Sequence, residues 1–200
     1  MEIILSTSNK DKIYEIQNIL GGQYTLLSKK DLDIEDFDVE ETGSSLKENA
    51  YIKAKSLYER FNKPVLADDT GLFVDSLNGK PGIYSARYAG DHASYEDNND
   101  KLLKDLSDIK DLEKRSARFI TVLCFIDEKG KDHYLEGELE GYISFERLGH
   151  ENKFGYNPIF IIKSLDKTLA QATDQERLSV NHRRRALDKL KVLLEEIKWK

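Results

Sequence analysis

Short apolar runs alternate along this chain with segments whose apolar residues recur every three or four positions, a pattern that predicts strands interleaved with helices. Glu2–Thr7 reads as a buried strand. It passes through Ser8-Asn9-Lys10-Asp11-Lys12 into a helix with Ile13, Ile16 and Leu20 on one side. A second strand, Tyr24–Leu27, precedes an acidic loop from Asp31 to Glu41. Ser45-Leu46-Lys47-Glu48 has capping-box spacing, which satisfies amides at a helix start. Ala50, Ala54, Leu57 and Phe61 then share one face, at spacings of four, three and four. Pro64 ends that helix, and Val65-Leu66-Ala67 reads as a buried strand that stops at Asp68-Asp69.

Past the loop Asn78–Gly82, the pattern predicts a helix over Tyr95–Leu106. A long hairpin follows, Ala117–Ile126 and Asp132–Leu139 joined by Asp127-Glu128-Lys129-Gly130, then a short strand at Ile159–Ile162. Thr173-Asp174-Gln175-Glu176 repeats the capping-box spacing, and the last helix carries Ala186, Leu190, Leu193 and Ile197 on one face. This order predicts an α/β fold with a mixed sheet whose antiparallel portion is the hairpin. With no repeat, low-complexity tract or Pro/Gly/Ser linker, residues 1–200 are expected to form a single domain, two lobes around a central cleft.

Composition narrows the function classes. With 39% hydrophobic and 34% charged residues, the chain reads as globular. No apolar run approaches the roughly 20 residues that span a bilayer, so no membrane association is expected. The N-terminus lacks the basic region and cleavage site of a signal peptide. The one cysteine, Cys124, excludes an intramolecular disulfide or a cysteine-based zinc site. With no disulfide to form, a cytoplasmic address is expected, and Cys124 reads as a buried small side chain. A net charge of −6 argues against a nucleic-acid partner, which needs a broad basic field, but leaves room for a small polyanion held by a few lysines, arginines and amides. His92, His133 and His150 are scattered and read as surface residues.

Five segments hold candidate chemistry. Thr7-Ser8-Asn9-Lys10-Asp11-Lys12 offers helix-start amides, a hydroxyl and two ammonium groups, a phosphate cradle or an ordinary turn with Ser8 or Asn9 as the cap. It is not a P-loop, which needs spaced glycines before Lys-Ser/Thr. Glu40-Glu41-Thr42-Gly43 places adjacent carboxylates that are either solvated or shared with a cation. Ala67-Asp68-Asp69-Thr70-Gly71 sets two aspartates directly after an apolar strand, where open α/β sheets place ligands. Lys153-Phe154-Gly155-Tyr156-Asn157-Pro158 reads as a stacking face for a purine base or as a turn with aromatic anchors. The arginines of Asn181-His182-Arg183-Arg184-Arg185 oppose a helix dipole unless a carboxylate or ligand offsets them.

In order and wording these five segments and two more carry a family resemblance. They are Ser6–Lys12, Glu40–Gly43, Glu48-Asn49-Ala50-Tyr51-Ile52-Lys53-Ala54, Ala67–Leu72, Pro81-Gly82-Ile83-Tyr84-Ser85-Ala86-Arg87-Tyr88, Phe154–Phe160, and His182-Arg183 before Ala186-Leu187. The chain resembles, from end to end, the inosine triphosphate pyrophosphatase family, also called dITP/XTP pyrophosphatases. The resemblance implies an α/β fold with a long central mixed sheet flanked by helices, two lobes and a deep cleft, and a homodimer. It implies Mg²⁺-dependent hydrolysis of non-standard purine nucleoside triphosphates (ITP, dITP, XTP) to the monophosphate and pyrophosphate. By motif position, Thr7, Ser8, Asn9, Lys10, Asp11, Lys12 and Lys53 would hold the triphosphate, and Glu40 and Asp69 the metal. Asp69 would also be the general base, and Thr70 would touch substrate. Phe154, Gly155, Tyr156 and Asn157 would frame the base, with Arg177, His182 and Arg183 at its 6-oxo face.

The chain departs from the family at four of these positions. The family has Gly at Ser8, Asp at Asn157, Lys at Arg177 and Ser at Asn181. These changes bear on base preference more than on reaction type. A pyrophosphatase of other modified nucleotides and a noncatalytic nucleotide-binding protein are the alternative readings.

Overall fold

The computed structural model describes residues 1–149 and 154–197, without the side chain of Asp11. His150, Lys153 and that Asp11 side chain, all singled out above, lie outside the described residues. Among the described residues, eight strands form one mixed sheet. The strands are β1 (Glu2–Leu5), β2 (Thr25–Leu27), β3 (Val65–Val74), β4 (Pro81–Gly82), β5 (Ser116–Ile126), β6 (Asp132–Ile143), β7 (Phe160–Ile162) and β8 (Lys167–Thr168). Their order is β2-β1-β3-β5-β6-β7-β8, with β4 paired to β3. The helices are α1 (Lys10–Leu20), α2 (Leu46–Phe61), α3 (Tyr95–Asp105), α4 (Asp174–Val180) and α5 (His182–Glu196). β1 lies parallel to both β2 and β3, whereas β6–β7 and β7–β8 are antiparallel, so the sheet is mixed as expected.

The chain divides into two compact units, each with its own core. The first comprises Met1–Asp69, Thr121–Gly137 and Arg183–Lys200. Its strands are apolar on both faces because both are covered by helices. Ile3, Leu5, Leu66, Leu123 and Phe125 pack with Ile16 and Leu20 of α1 and Ala186, Leu187, Leu190 and Leu194 of α5. The alternate residues Ile4, Val65, Ala67, Cys124 and Ile126 pack with Ala50, Ala54 and Leu57 of α2. This two-sided burial is what turns the period-two alternation of a strand into an unbroken apolar run. Cys124 is buried within the second of these clusters, as its sequence context indicated.

The second unit comprises Thr70–Ile120 and Glu138–His182. Leu72, Val74, Leu102, Leu106, Phe119, Ile143, Tyr156, Phe160 and Val180 are among the residues of its core. α3 begins with a full capping box, Ser94 with Asp97, and α4 with the expected one, Thr173 with Glu176.

Two local expectations need correction. Ser45 accepts the Glu48 amide at 3.2 Å, but the Glu48 carboxylate reaches past Ser45 to the Ser44 amide at 2.6 Å and the Ser44 hydroxyl at 2.7 Å. The box is therefore only half made at Ser45. Nor does the third strand stop at Asp68-Asp69. It continues to Val74, because both carboxylates find cationic partners and the pleat carries on through them.

Candidate active site

The site is built where β1 ends. β1 pairs with β3 through Ile4–Val65 and Leu5–Leu66, and the Ser6 amide donates to the Leu66 carbonyl at 2.9 Å. The chain then leaves β1 for α1 while β3 runs on, so Asp68 and Asp69 sit just past the carboxyl end of a parallel neighbour. That is where ligand sites of open parallel sheets lie. Thr7–Asn9 turns into α1 with Asn9 as the cap. Asn9 Oδ1 accepts the Lys12 amide at 3.2 Å, and Thr7 Oγ1 accepts the Asn9 amide at 3.2 Å. Ser8 and Lys10 are exposed.

Lys12, two residues into α1, bends back to Asp68 Oδ2 at 2.9 Å. Asp68 is only 4% exposed, and its Oδ2 also accepts Arg183 Nε at 3.2 Å. Arg183 in turn donates through Nη1 to Glu15, one turn along α1 from Lys12. Burial works against a charge on Asp68, but Lys12, Arg183 and Lys53 outweigh it and hold the carboxyl well below the usual carboxylate range. Burial likewise disfavours charge on the Arg183 guanidinium, and Asp68 and Glu15 reverse that effect. The unfavourable cation at a helix start is thus offset by carboxylates of the protein itself.

Asp69 makes the opposite balance. Lys53, on the inner edge of α2, donates to Asp69 Oδ1 at 2.9 Å and to Glu41 Oε1 at 3.1 Å. Asp69 Oδ2 is buried with no hydrogen-bond partner. Burial, aided by Glu41, pushes the Asp69 carboxyl up despite Lys53 and Lys12. For Lys53, burial favours the neutral amine, but Asp69, Asp68 and Glu41 more than compensate and raise its affinity for the proton.

Glu40, the expected metal ligand, is exposed in its loop, and its neighbour Glu41 is the residue that reaches Lys53. That loop is pinned by Gly43, whose amide donates to the buried Asn49 Oδ1 at 2.9 Å. A Cβ at Gly43 would lie 2.6 Å from that oxygen and 2.7 Å from Glu48 Cβ. Gly43→Ala is therefore expected to cost about 1–3 kcal/mol of stability, read as a lower midpoint of denaturant unfolding with an unchanged slope.

No group of three or more His, Cys, Asp or Glu side chains gathers to hold a metal among the described residues. The donors present nevertheless suit one hard cation. Mg²⁺ takes one or two carboxylates and fills its remaining positions with water and phosphate oxygens. An unpartnered carboxylate oxygen in a buried position, Asp69 Oδ2, is the observation that fits it.

The remaining candidates lie in the second unit. Phe154–Asn157 forms a turn closed by the Asn157 amide on the Phe154 carbonyl at 3.1 Å. Tyr95 of α3 meets the Phe154 ring edge-on at 5.2 Å, and Tyr156 donates to the Ser85 carbonyl at 2.7 Å. Gly155 has a φ of 54° and open space where a Cβ would stand. Asn99, which sequence reasoning missed, donates to the Gly155 carbonyl at 3.1 Å and buries its Oδ1 without a partner.

Arg177 donates to the carbonyls of Leu169 and Ala172 and to the Asp174 carboxylate. His182 stacks on Phe119 at 5.2 Å. Thr70 is half-buried in β3. Asp68 and Glu41 stood in the candidate segments without an assigned role, and Glu15 was missed, its one local signal being a spacing of three from Lys12 on one helix face.

A model of the Ham1 family matches residues 3–193. The chain belongs to the Ham1 family. This Ham1-family chain is 49% identical over 192 residues to the dITP/XTP pyrophosphatase of Thermoanaerobacter pseudethanolicus, covering 96% of this chain and 95% of that one. It is similar to the structure of the Staphylococcus aureus Ham1 protein with a TM-score of 0.90 and 41% identity, over 99% of this chain and 100% of that one. A crystal structure of the nucleoside-triphosphatase, or dITP/XTP pyrophosphatase, from Mycobacterium abscessus matches with a TM-score of 0.80 and 37% identity, over 95% and 98% of the two chains. The resemblance carried by the seven motifs is borne out, as is the α/β architecture with a central mixed sheet flanked by helices.

Proposed function

We propose that this Ham1-family chain hydrolyses non-standard purine nucleoside triphosphates, ITP, dITP and XTP, at the α–β anhydride to yield the monophosphate and pyrophosphate. The observation that carries the reading is Asp69, whose Oδ1 is held by Lys53 while its buried Oδ2 lacks a partner beside two lysines. A carboxylate set in this way accepts a proton or ligates a cation. The names of the full-length relatives support the same reading.

In this mechanism Thr7–Lys12 and Lys53 bind the polyphosphate, and Glu40 and Asp69 would hold Mg²⁺. The ion supplies charge neutralisation at the phosphate oxygens when bound. The Asp69 carboxylate takes the proton of the attacking water, and the ammonium groups of Lys12 and Lys53 stabilise the charge that collects on departing pyrophosphate. Phe154, Gly155, Tyr156 and Asn157 frame the base. Arg177 and His182 donate toward its 6-oxo group, which adenine lacks, whereas Arg183 is buried on Asp68 and Glu15 and holds those carboxylates instead. A site built around such donors rejects the mismatched base by up to about 10⁴-fold.

The test is release of pyrophosphate from dITP, ITP, XTP, GTP and ATP, with Mg²⁺ and with chelator. Turnover of the first three with Mg²⁺ alone, and little with ATP, is expected. Equal rates on all five reject base selectivity, and no turnover with any of them leaves a noncatalytic nucleotide binder. Preference for other modified nucleotides over dITP would move the enzyme to a different substrate class.

Within the same proposal the enzyme is a cytoplasmic homodimer with small-molecule rather than nucleic-acid partners. No helix among the described residues is long and apolar enough to cross a membrane. Sedimentation at micromolar concentration reads the oligomeric state directly.

A further inference from the structure

We propose that Asp68 is a positioning residue, which aims the Lys12 ammonium at the polyphosphate without itself touching substrate or metal. The inference rests on the pyrophosphatase reading above and concerns a residue to which that reading gives no role.

Four side chains of alternating charge form the network, in the order Lys12, Asp68, Arg183, Glu15. Its middle is closed and its ends are open. The side chains of Asp68 and Arg183 are 2% and 7% exposed, against 19% for Lys12 and 25% for Glu15. The Lys12 ammonium thus stays open to an incoming anion while the carboxylate that holds it is closed off. Here the rim ammonium belongs to the first turn of α1, directly after the Thr7–Asn9 turn, where an anion would meet it.

The physical logic is preorganisation. A free lysine samples many rotamers and must be ordered when a phosphate binds, whereas one tethered at 2.9 Å to a buried carboxylate is ordered beforehand. Arg183 and Glu15 serve as the lock. Arg183 Nε fixes the same Asp68 oxygen that holds Lys12, and Glu15 returns the guanidinium to α1, the helix that carries Lys12. Lys12 is therefore defined relative to both β3 and α5.

A bystander role and a positioning role have opposite signs, which makes the inference testable. If Asp68 were only a nearby negative charge, its neutralisation would strengthen binding of an anion. If it positions Lys12, neutralisation weakens binding. Inorganic pyrophosphate is titrated calorimetrically into the wild type, Asp68→Asn, Lys12→Met and the double variant.

We expect Asp68→Asn to weaken pyrophosphate about tenfold, within the range of coupling seen in side-chain networks. The double variant should bind no more weakly than Lys12→Met alone. Asp68→Glu, which keeps the charge, should recover part of the loss. Unchanged or tighter binding by Asp68→Asn overturns the proposal, and so do effects of the two substitutions that simply add.

Should Asp68→Asn fail to fold, Glu15→Gln loosens the lock from its half-exposed end. The same logic then requires weaker pyrophosphate binding that disappears in the Lys12→Met background, and an effect that persists there refutes it. Pyrophosphate binding needs no turnover, so loss of dITP hydrolysis by the wild type would sink the activity reading while leaving this outcome legible.

Discussion

Asp69→Asn is expected to lower kcat on dITP by about 10²- to 10⁴-fold, the usual contribution of a positioned general base. The substitution keeps the shape of the side chain and an oxygen for the Lys53 hydrogen bond, but an amide in place of Oδ2 takes no proton and ligates a cation poorly. The fold should tolerate it. Burial already pushes the Asp69 carboxyl up, so the native state disfavours its charge, and a neutral isostere relieves that cost. Lys53 retains Glu41 as a partner. Loss of turnover with a melting temperature that holds or rises is therefore the expected pair of results. Near-native turnover at saturating Mg²⁺ would remove Asp69 from the chemistry.

The second large effect is on stability. Arg183→Met leaves Asp68 buried with Lys12 as its remaining close cation, and removing one partner of a buried ion pair costs about 3–5 kcal/mol. Denaturant unfolding should show the loss as a lower midpoint with an unchanged slope. Replacing the pair together, as Asp68→Leu with Arg183→Met, should recover much of it, because no uncompensated charge remains inside.

Acidity adds a further check. Asp68 has a depressed carboxyl affinity for protons in the folded state. Its contribution is fully present above the ordinary aspartate range and is lost as pH falls through the depressed folded value. In Arg183→Met that depression is smaller, so the loss on acidification should be smaller and complete at a higher pH than in the wild type.

These two outcomes separate neighbouring residues that look alike in the sequence. Asp68-Asp69 stood out as a pair of carboxylates following an apolar run, and the motif assigned chemistry to Asp69. Nothing local distinguished their roles. On a strand, successive side chains point to opposite faces, so Asp68 and Asp69 enter different surroundings. One meets Lys12 and Arg183, the other Lys53. Arg183 comes from 115 positions away, beyond the reach of any local pattern. The same applies to Asn99, whose amide supports Gly155 from α3.

The alternation of apolar runs and helical periodicity determined by itself the α/β class, the order of most elements and which faces are buried. Ile16 and Leu20, Ala50 to Leu57, and Ala186 and Leu190 all fill the cores that their spacing indicated. Those features are local, because burial of a strand or helix face is written in periods of two and 3.6 residues. The motif residues likewise named the family from the chain alone. Only the tertiary structure decided that β3 runs through the acidic pair, that Glu41 rather than Glu40 reaches Lys53, and that Arg183 is tied to Asp68 and Glu15. Charge pairing across distant segments has no period to read. It depends on which side chains the packed cores bring within about 3–4 Å, where the Coulomb attraction becomes large enough to outweigh desolvation.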